Sequence, residues 1–220
     1  GSLAHEMKTP LTSIIGYADL MRIENLSEEE QKEACGYIYS EGKRLQNLSL
    51  KLMNLLVLKN QEFQMKKQNL VPMIHEVISS MQYRLQEQKI LVNLNLKPTI
   101  CEVEADLLKS LILNLVDNSL KSMNVGGILT IECCPAQEGA KIYVSDTGCG
   151  MPKGELDKIT EAFYRVDKSR SRKQGGVGLG LALCKEIVRI HKGDMEFISQ
   201  EEKGTTAIIT IGGGHYEKTD

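Results

Sequence analysis

Leu3, Met7, Leu11, Ile14, Ala18 and Met21 recur at steps of three and four, which marks one face of a helix over residues 3–24. A break follows at "ENLSEEEQ". Ser27 with Glu30 three residues later is a capping-box signature that opens a second helix, predicted to run to about residue 64. On that helix Leu45, Leu48, Leu52 and Leu55 repeat at 3-4-3 spacing, a coiled-coil-like seam. Residues 3–65 therefore read as a helical hairpin with an apolar stripe on each arm. One hairpin cannot cover both stripes, whereas two can do so as a four-helix bundle. The pattern predicts a homodimer through residues 3–65.

The pattern changes near residue 68. "VPMIHEVISSMQYRLQEQ" reads as helix, "KILVNLNL" and "TICEVE" as strands, and "ADLLKSLILNLVDNSLKSM" as a strongly apolar helix. "GGILTIECCP" and "AKIYVSD" are strands about a turn. A glycine-punctuated basic loop covers roughly 147–177. A helix follows over "GLGLALCKEIVRIHKG", with Gly193 as its expected C-cap, and "DMEFIS" and "TTAIITI" close the chain as strands. The expectation is a multidomain protein. An all-α hairpin precedes an α/β sandwich over 68–212, a mixed sheet with helices on one face, and residues 213–220 form a tail.

Composition narrows the function classes. Net charge is −2 over 220 residues, which gives no global reason to expect nucleic acid or an anionic membrane as partner. No apolar run approaches a membrane span, and no secretory signal is present. The leading Gly-Ser looks like a cloning scar, so a cytoplasmic fragment is expected. The six cysteines include no C-x-x-C pair, the pattern of reduced thiols rather than of a zinc site or disulfide framework.

Three segments carry chemistry. In "LNLVDNSLK", Asn114, Asn118 and Lys121 share one stripe of an otherwise apolar helix. The Asn118 amide oxygen suits Mg2+, and Lys121 suits a phosphate; a hydrogen-bonded helix face is the plainer reading. In "VSDTGCGM" a strand delivers Asp146 to a turn built on Gly148 and Gly150, where the carboxylate could accept a hydrogen bond from an adenine amino group; ordinary turns share this pattern. In "GGVGLGLAL", glycines run straight into a helix, and backbone N–H groups at such a start make a phosphate cradle. The spacing matches neither the P-loop nor the Rossmann motif. The basic segment "YRVDKSRSRK" before it fits either a mobile lid closing on phosphates or a solvated loop.

In this order the segments resemble the N, first-glycine, F and second-glycine boxes of the ATP-binding domain of sensor histidine kinases. "EAFYRVDKSRSRKQGGVGLGLAL" is very similar to the F and second-glycine boxes, "GTT" at 204–206 resembles the last glycine box, and "HEMKTPLTSIIGYADLM" resembles the phosphoacceptor H box. The resemblance spans residues 3 to about 212. It implies ATP and Mg2+ at Asn114, Asn118, Lys121, Asp146, Gly148, Gly150, Arg165, Lys168, Gly176, Gly178, Leu179, Gly180, Thr205 and Thr206, with the metal on Asn118. It also implies His5 as phosphate acceptor, Glu6 as the acid that takes a proton from its ring, and Thr9 as the residue that orients water when the enzyme runs as a phosphatase. A response regulator receiver domain is the implied partner, and any membrane tie would lie in an N-terminal sensor region.

Pro10 removes the N–H that would bond the Glu6 carbonyl, which weakens the helix one turn after His5. Ser122 and Met123 depart from the family pattern and put nucleotide affinity in question. Gyrase-like and chaperone ATPases, which share the fold, carry a water-activating glutamate where this chain has Asn114. A dedicated ATPase or an inactive nucleotide-binding scaffold are the competing readings, and the ATPase lacks its base.

Overall fold

The computed structural model describes residues 3–23, 25–123, 125–137, 139–166 and 178–212. Helices α1 (Leu3–Ile23) and α2 (Glu28–Asn60) form the hairpin. The capping box is formed: the Glu30 N–H donates to the Ser27 hydroxyl, and the Glu30 carboxylate accepts from the Ser27 N–H at 2.8 Å. Helix α2 ends at Asn60, earlier than its periodicity predicts, and Gln61 turns into extended backbone. Phe63, just beyond, packs on the core of the second domain, so tertiary packing claims it from the helix.

The second domain opens with β1 (Lys66–Asn69), a strand that no apolar alternation marks. Its residues are all polar, and it exists because it pairs antiparallel with β3 (Ile100–Val103). Asn69 then caps α3 (Leu70–Ser80) by accepting from the Val71 N–H at 3.1 Å. The single helix expected here is broken at Met81, after which α4 (Gln82–Glu87) follows. Helix α5 (Ala105–Ser122) and helix α6 (Gly180–Ile190) complete the helical layer.

The main sheet contains β2 (Ile90–Leu96), β4 (Gly127–Ala136), β5 (Gly139–Asp146), β6 (Asp194–Gln200) and β7 (Gly204–Ile211), in the order β2-β4-β5-β7-β6. The β2–β4 pair is parallel and the others antiparallel, so the sheet is mixed. Leu108, Leu111 and Ile112 of α5 and Ile187 of α6 are fully buried with Leu129, Ile131, Ile142 and Ile209 of the strands. The helical face and the sheet thus share one core.

Gly193 is not the C-cap of α6. His191 holds that position, and Lys192 takes the left-handed turn at φ 51°. Gly193 serves close approach instead, since a Cβ there would lie 2.0 Å from the Thr210 carbonyl oxygen.

The leucine seam faces the second domain, and other apolar residues of the hairpin stay uncovered. Leu48 is 2% exposed and packs with Leu179 (1%), the residue before α6, alongside Leu3, Leu45, Leu55 and Phe163. The hairpin is therefore docked on the second domain. Meanwhile Leu11 (49% exposed) and Ile15 (54%) on α1, and Met53 (58%) on α2, remain uncovered.

Candidate functional site

Strand β5 ends at Asp146, and α5 runs beside it with serines one turn apart. Ser119 donates its hydroxyl to Asp146 Oδ2 at 2.9 Å, the Gly148 N–H donates to Oδ1 at 2.9 Å, and Ser122 Oγ stands 3.0 Å from Oδ1. The Ser119 hydroxyl and the Gly148 N–H fix the carboxylate's orientation and leave little freedom to lose on binding a ligand; Ser122 Oγ beside it shares its one proton with the Ser119 carbonyl at 2.8 Å. Gly148 is bare because a Cβ would sit 2.1 Å from Ser122 Oγ. Gly150 adopts φ 62°, and a Cβ there would strike the Gln200 carbonyl oxygen at 1.9 Å.

Asp146 stands on the wall of a cavity of about 490 Å³, a size within the range of small-molecule and cofactor sites. Its Asp146 end is apolar, walled by Leu115, Val144, Ile159, Phe197 and Ala207, with Thr205 opposite Asp146 on β7. Its other end is polar and cationic: Asn118, Lys121, Arg165, Gly178, Gly180 and Lys51 of α2. Lys121 Nζ meets Asp117 Oδ2 at 2.6 Å, and Arg84 holds Oδ1 of the same carboxylate at 2.8 Å. Burial raises the Asp117 carboxyl, but the hydrogen bonds and charges of Lys121 and Arg84 outweigh it and hold it below its usual value.

Helix α6 begins at this cationic end. Its N-cap, Leu179, has no polar side chain to cap the first turn, and N–H groups at such a helix start suit an anion. Gly178 takes φ 73° because a Cβ would press on the Tyr164 carbonyl oxygen at 2.7 Å, and its own carbonyl accepts from the Phe163 N–H at 2.8 Å. A Cβ at Gly180 would stand 3.4 Å from Asn114 Oδ1 and 3.9 Å from the Asn118 amide atoms. Gly180 thereby lies directly against the two asparagines of α5.

Of the residues expected from sequence, Asn118, Lys121, Asp146, Gly150, Arg165, Gly178, Gly180 and Thr205 converge on the cavity. Gly148 stands behind Asp146. Asn114 turns its amide to the Ser110 carbonyl at 2.8 Å, the Thr206 hydroxyl bonds Ser145 at 2.9 Å, and the Leu179 side chain is buried against Leu48. Lys168 and Gly176 lie outside the described residues. Ser119, Ser122 and Lys51 line the cavity without having been singled out as ligands.

The donor set suits a magnesium nucleotide. An amide oxygen at Asn118, cations and helix N–H groups gather at one end, and a carboxylate over an apolar slot stands at the other.

On α1, His5 is exposed and Glu6 is buried. Glu6 Oε2 accepts from Arg165 Nη2 at 2.5 Å and from Arg44 Nη2 at 3.4 Å. Glu6 thus faces two guanidinium groups, and among the described residues no hydrogen bond joins it to His5. Thr9 donates its hydroxyl to the His5 carbonyl at 3.2 Å. Such back-bonding, together with Pro10, loosens this turn while α1 stays continuous.

Comparison with known proteins agrees with this geometry. Residues 1–55 match the model of the His Kinase A (phospho-acceptor) domain, and residues 103–213 match that of the histidine kinase-, DNA gyrase B-, and HSP90-like ATPase. The chain is 29% identical over 216 residues to the sensor protein SrrB of Staphylococcus aureus, covering 96% of this chain and 37% of that protein's length. In fold it is similar to the Acinetobacter baumannii histidine kinase AdeS, with a TM-score of 0.73 at 20% identity, covering 97% of this chain and all of that one. It is also similar to the histidine kinase ThkA in complex with the response regulator protein TrrA, with a TM-score of 0.78 at 22% identity, covering 95% of this chain and 59% of that one. A phospho-acceptor hairpin and an ATPase sandwich, joined in that order, place this chain in the histidine kinase family.

Proposed function

We propose that the chain is a kinase core that transfers the γ-phosphoryl group of Mg-ATP to His5 and passes it on to an aspartate of a response regulator receiver domain. Asp146 and the apolar slot take the adenine. Asn118 holds Mg2+, which supplies charge neutralisation for the phosphates. Lys121, Arg165 and the N-terminus of α6 hold the phosphate oxygens. Phosphoryl transfer needs positioning and charge neutralisation more than covalent help. A nitrogen of the exposed His5 ring forms the new P–N bond as the bond to ADP breaks, and Glu6 takes the proton from the other ring nitrogen.

The observation that carries this reading is the Glu6–Arg165 ion pair. It ties the residue next to His5 to a side chain of the cavity wall within one chain. In the docked arrangement Glu6 is engaged by Arg165 and Arg44, so transfer requires the carboxylate to exchange these partners for the His5 ring. That exchange is the step the softened turn at Thr9 and Pro10 permits. The uncovered apolar residues of α1 and α2 are the dimer seam. The complex of ThkA with a response regulator supports a receiver domain as the partner here. Thr9 aligns water for removal of the regulator's phosphate.

Incubation with γ-labelled ATP tests the reaction class. Acid-labile, base-stable label on the protein is expected. Free phosphate with no protein label would mean an ATPase, and neither product would mean a scaffold.

A further inference from the structure

Helix α2 passes the cationic end of the cavity. Leu48 packs on Leu179, immediately before Gly180 and the first turn of α6. Lys51 lies three residues beyond Leu48, on the same face of α2, and stands on the cavity wall with Asn118 and Lys121. The hydrophobic contact thus sets the register that delivers this ammonium to the site. Among the described residues no carboxylate forms an ion pair with it. The acid that acts on it through its charge, Asp117, is already shared by Lys121 and Arg84. Glu201 and Glu202 also line the cavity, but their turn bonds Cys149 at the Asp146 end. Burial, then the like charge of Lys121, pushes the Lys51 ammonium below its usual value. Two lysines crowded on one wall of a cavity, where Asp117 among the described residues is already shared by Lys121 and Arg84, make a site that an anion relieves.

We propose that Lys51 is a phosphate ligand lent to the nucleotide site by the phospho-acceptor hairpin, reaching the polyphosphate only while α2 is docked on α6. The proposal rests on the reading of the cavity as an ATP site. Its consequence is coupling. Nucleotide with its phosphates favours the docked arrangement, and by reciprocity docking tightens nucleotide binding.

The test is titration of the whole chain with Mg-AMPPNP and with adenosine, on wild type, Lys51→Met and Lys51→Arg. Methionine keeps the apolar stem and removes the charge. One charged contact predicts about a tenfold loss of AMPPNP affinity in Lys51→Met. Adenosine affinity should stay within about twofold, and Lys51→Arg should stay within about threefold for both ligands. Equal AMPPNP affinity in wild type and Lys51→Met overturns the proposal, and so does a parallel loss of adenosine binding, which would mark a packing role. Absence of AMPPNP binding to the wild type would overturn the nucleotide reading itself, and this proposal with it.

Discussion

At the scale of single residues, the site is a carboxylate held by hydroxyls. Asp146 was legible because a strand end followed by D-x-G-x-G is a local pattern. Ser119 and Ser122 were not. A serine on a helix carries no periodic signal, and their partner lies 27 and 24 residues away in sequence. Ser122 even reads as a departure from the family, yet it sits in the space that the missing Gly148 side chain provides. Ser119→Ala removes one hydrogen bond to an ionised group, a loss of about 1.5–3 kcal/mol. Mg-AMPPNP affinity should fall about tenfold or more, and the thermal midpoint should fall by about 2–4 °C per kcal/mol lost; titration at wild-type affinity would mean the serine does not orient Asp146. Thr9 is a second residue-scale case. Its hydroxyl can hold a water but is a poor base, so Thr9→Ala should keep autophosphorylation within a few-fold. Phosphatase activity toward the cognate regulator should drop about tenfold, or 1.4 kcal/mol. Loss of kinase activity with phosphatase intact would assign Thr9 to the transfer step instead.

At the scale of elements, the long periodic segments were readable and the junctions were not. Helix α5 and the five strands of the main sheet follow from apolar spacing alone. β1 does not, because "KKQN" has no alternation and owes its conformation to β3. Gly193 looked like a C-cap because sequence shows a glycine's place and not its φ. The cap itself, His191, is a buried tie between elements. Its Nε2 accepts from the Glu104 N–H at the start of α5 at 3.0 Å, and Nδ1 donates to the Ile187 carbonyl at 2.8 Å. That arrangement needs a neutral ring, and burial lowers the His191 pKa although the two backbone bonds oppose it. An unfolded imidazole takes up its proton near pH 6.5, and the buried one only at lower pH. The unfolded chain therefore holds the extra proton between those values. Stability is undiminished above about pH 6.5 and falls as pH drops below it, by at most about 1.4 kcal/mol per pH unit from this group. Urea unfolding of wild type and His191→Gln between pH 7.5 and 5.5 should show a shallower acid loss in the variant; equal slopes would contradict the assignment.

At the scale of the whole molecule, the sequence announced two domains and an unsatisfied hairpin but not how they meet. The leucine seam turns to the ATPase domain at Leu48, while Met53, outside the seam, is left outward. The Glu6–Arg165 pair spans 159 residues, and no local pattern foretells it. Lys51 belongs to no motif in the sequence and becomes part of the cavity wall only through this docking. The same contacts bring the helix of His5 and the cavity of one chain together, which makes His5 the proposed destination of the phosphoryl group. The direct measurement is protein-bound label from γ-labelled Mg-ATP on wild type and His5→Gln, with Mg-AMPPNP affinity measured on both. Acid-labile, base-stable label is expected on the wild type, none on His5→Gln, and equal nucleotide affinity on both. Label of the same chemistry persisting on His5→Gln would contradict His5 as that destination.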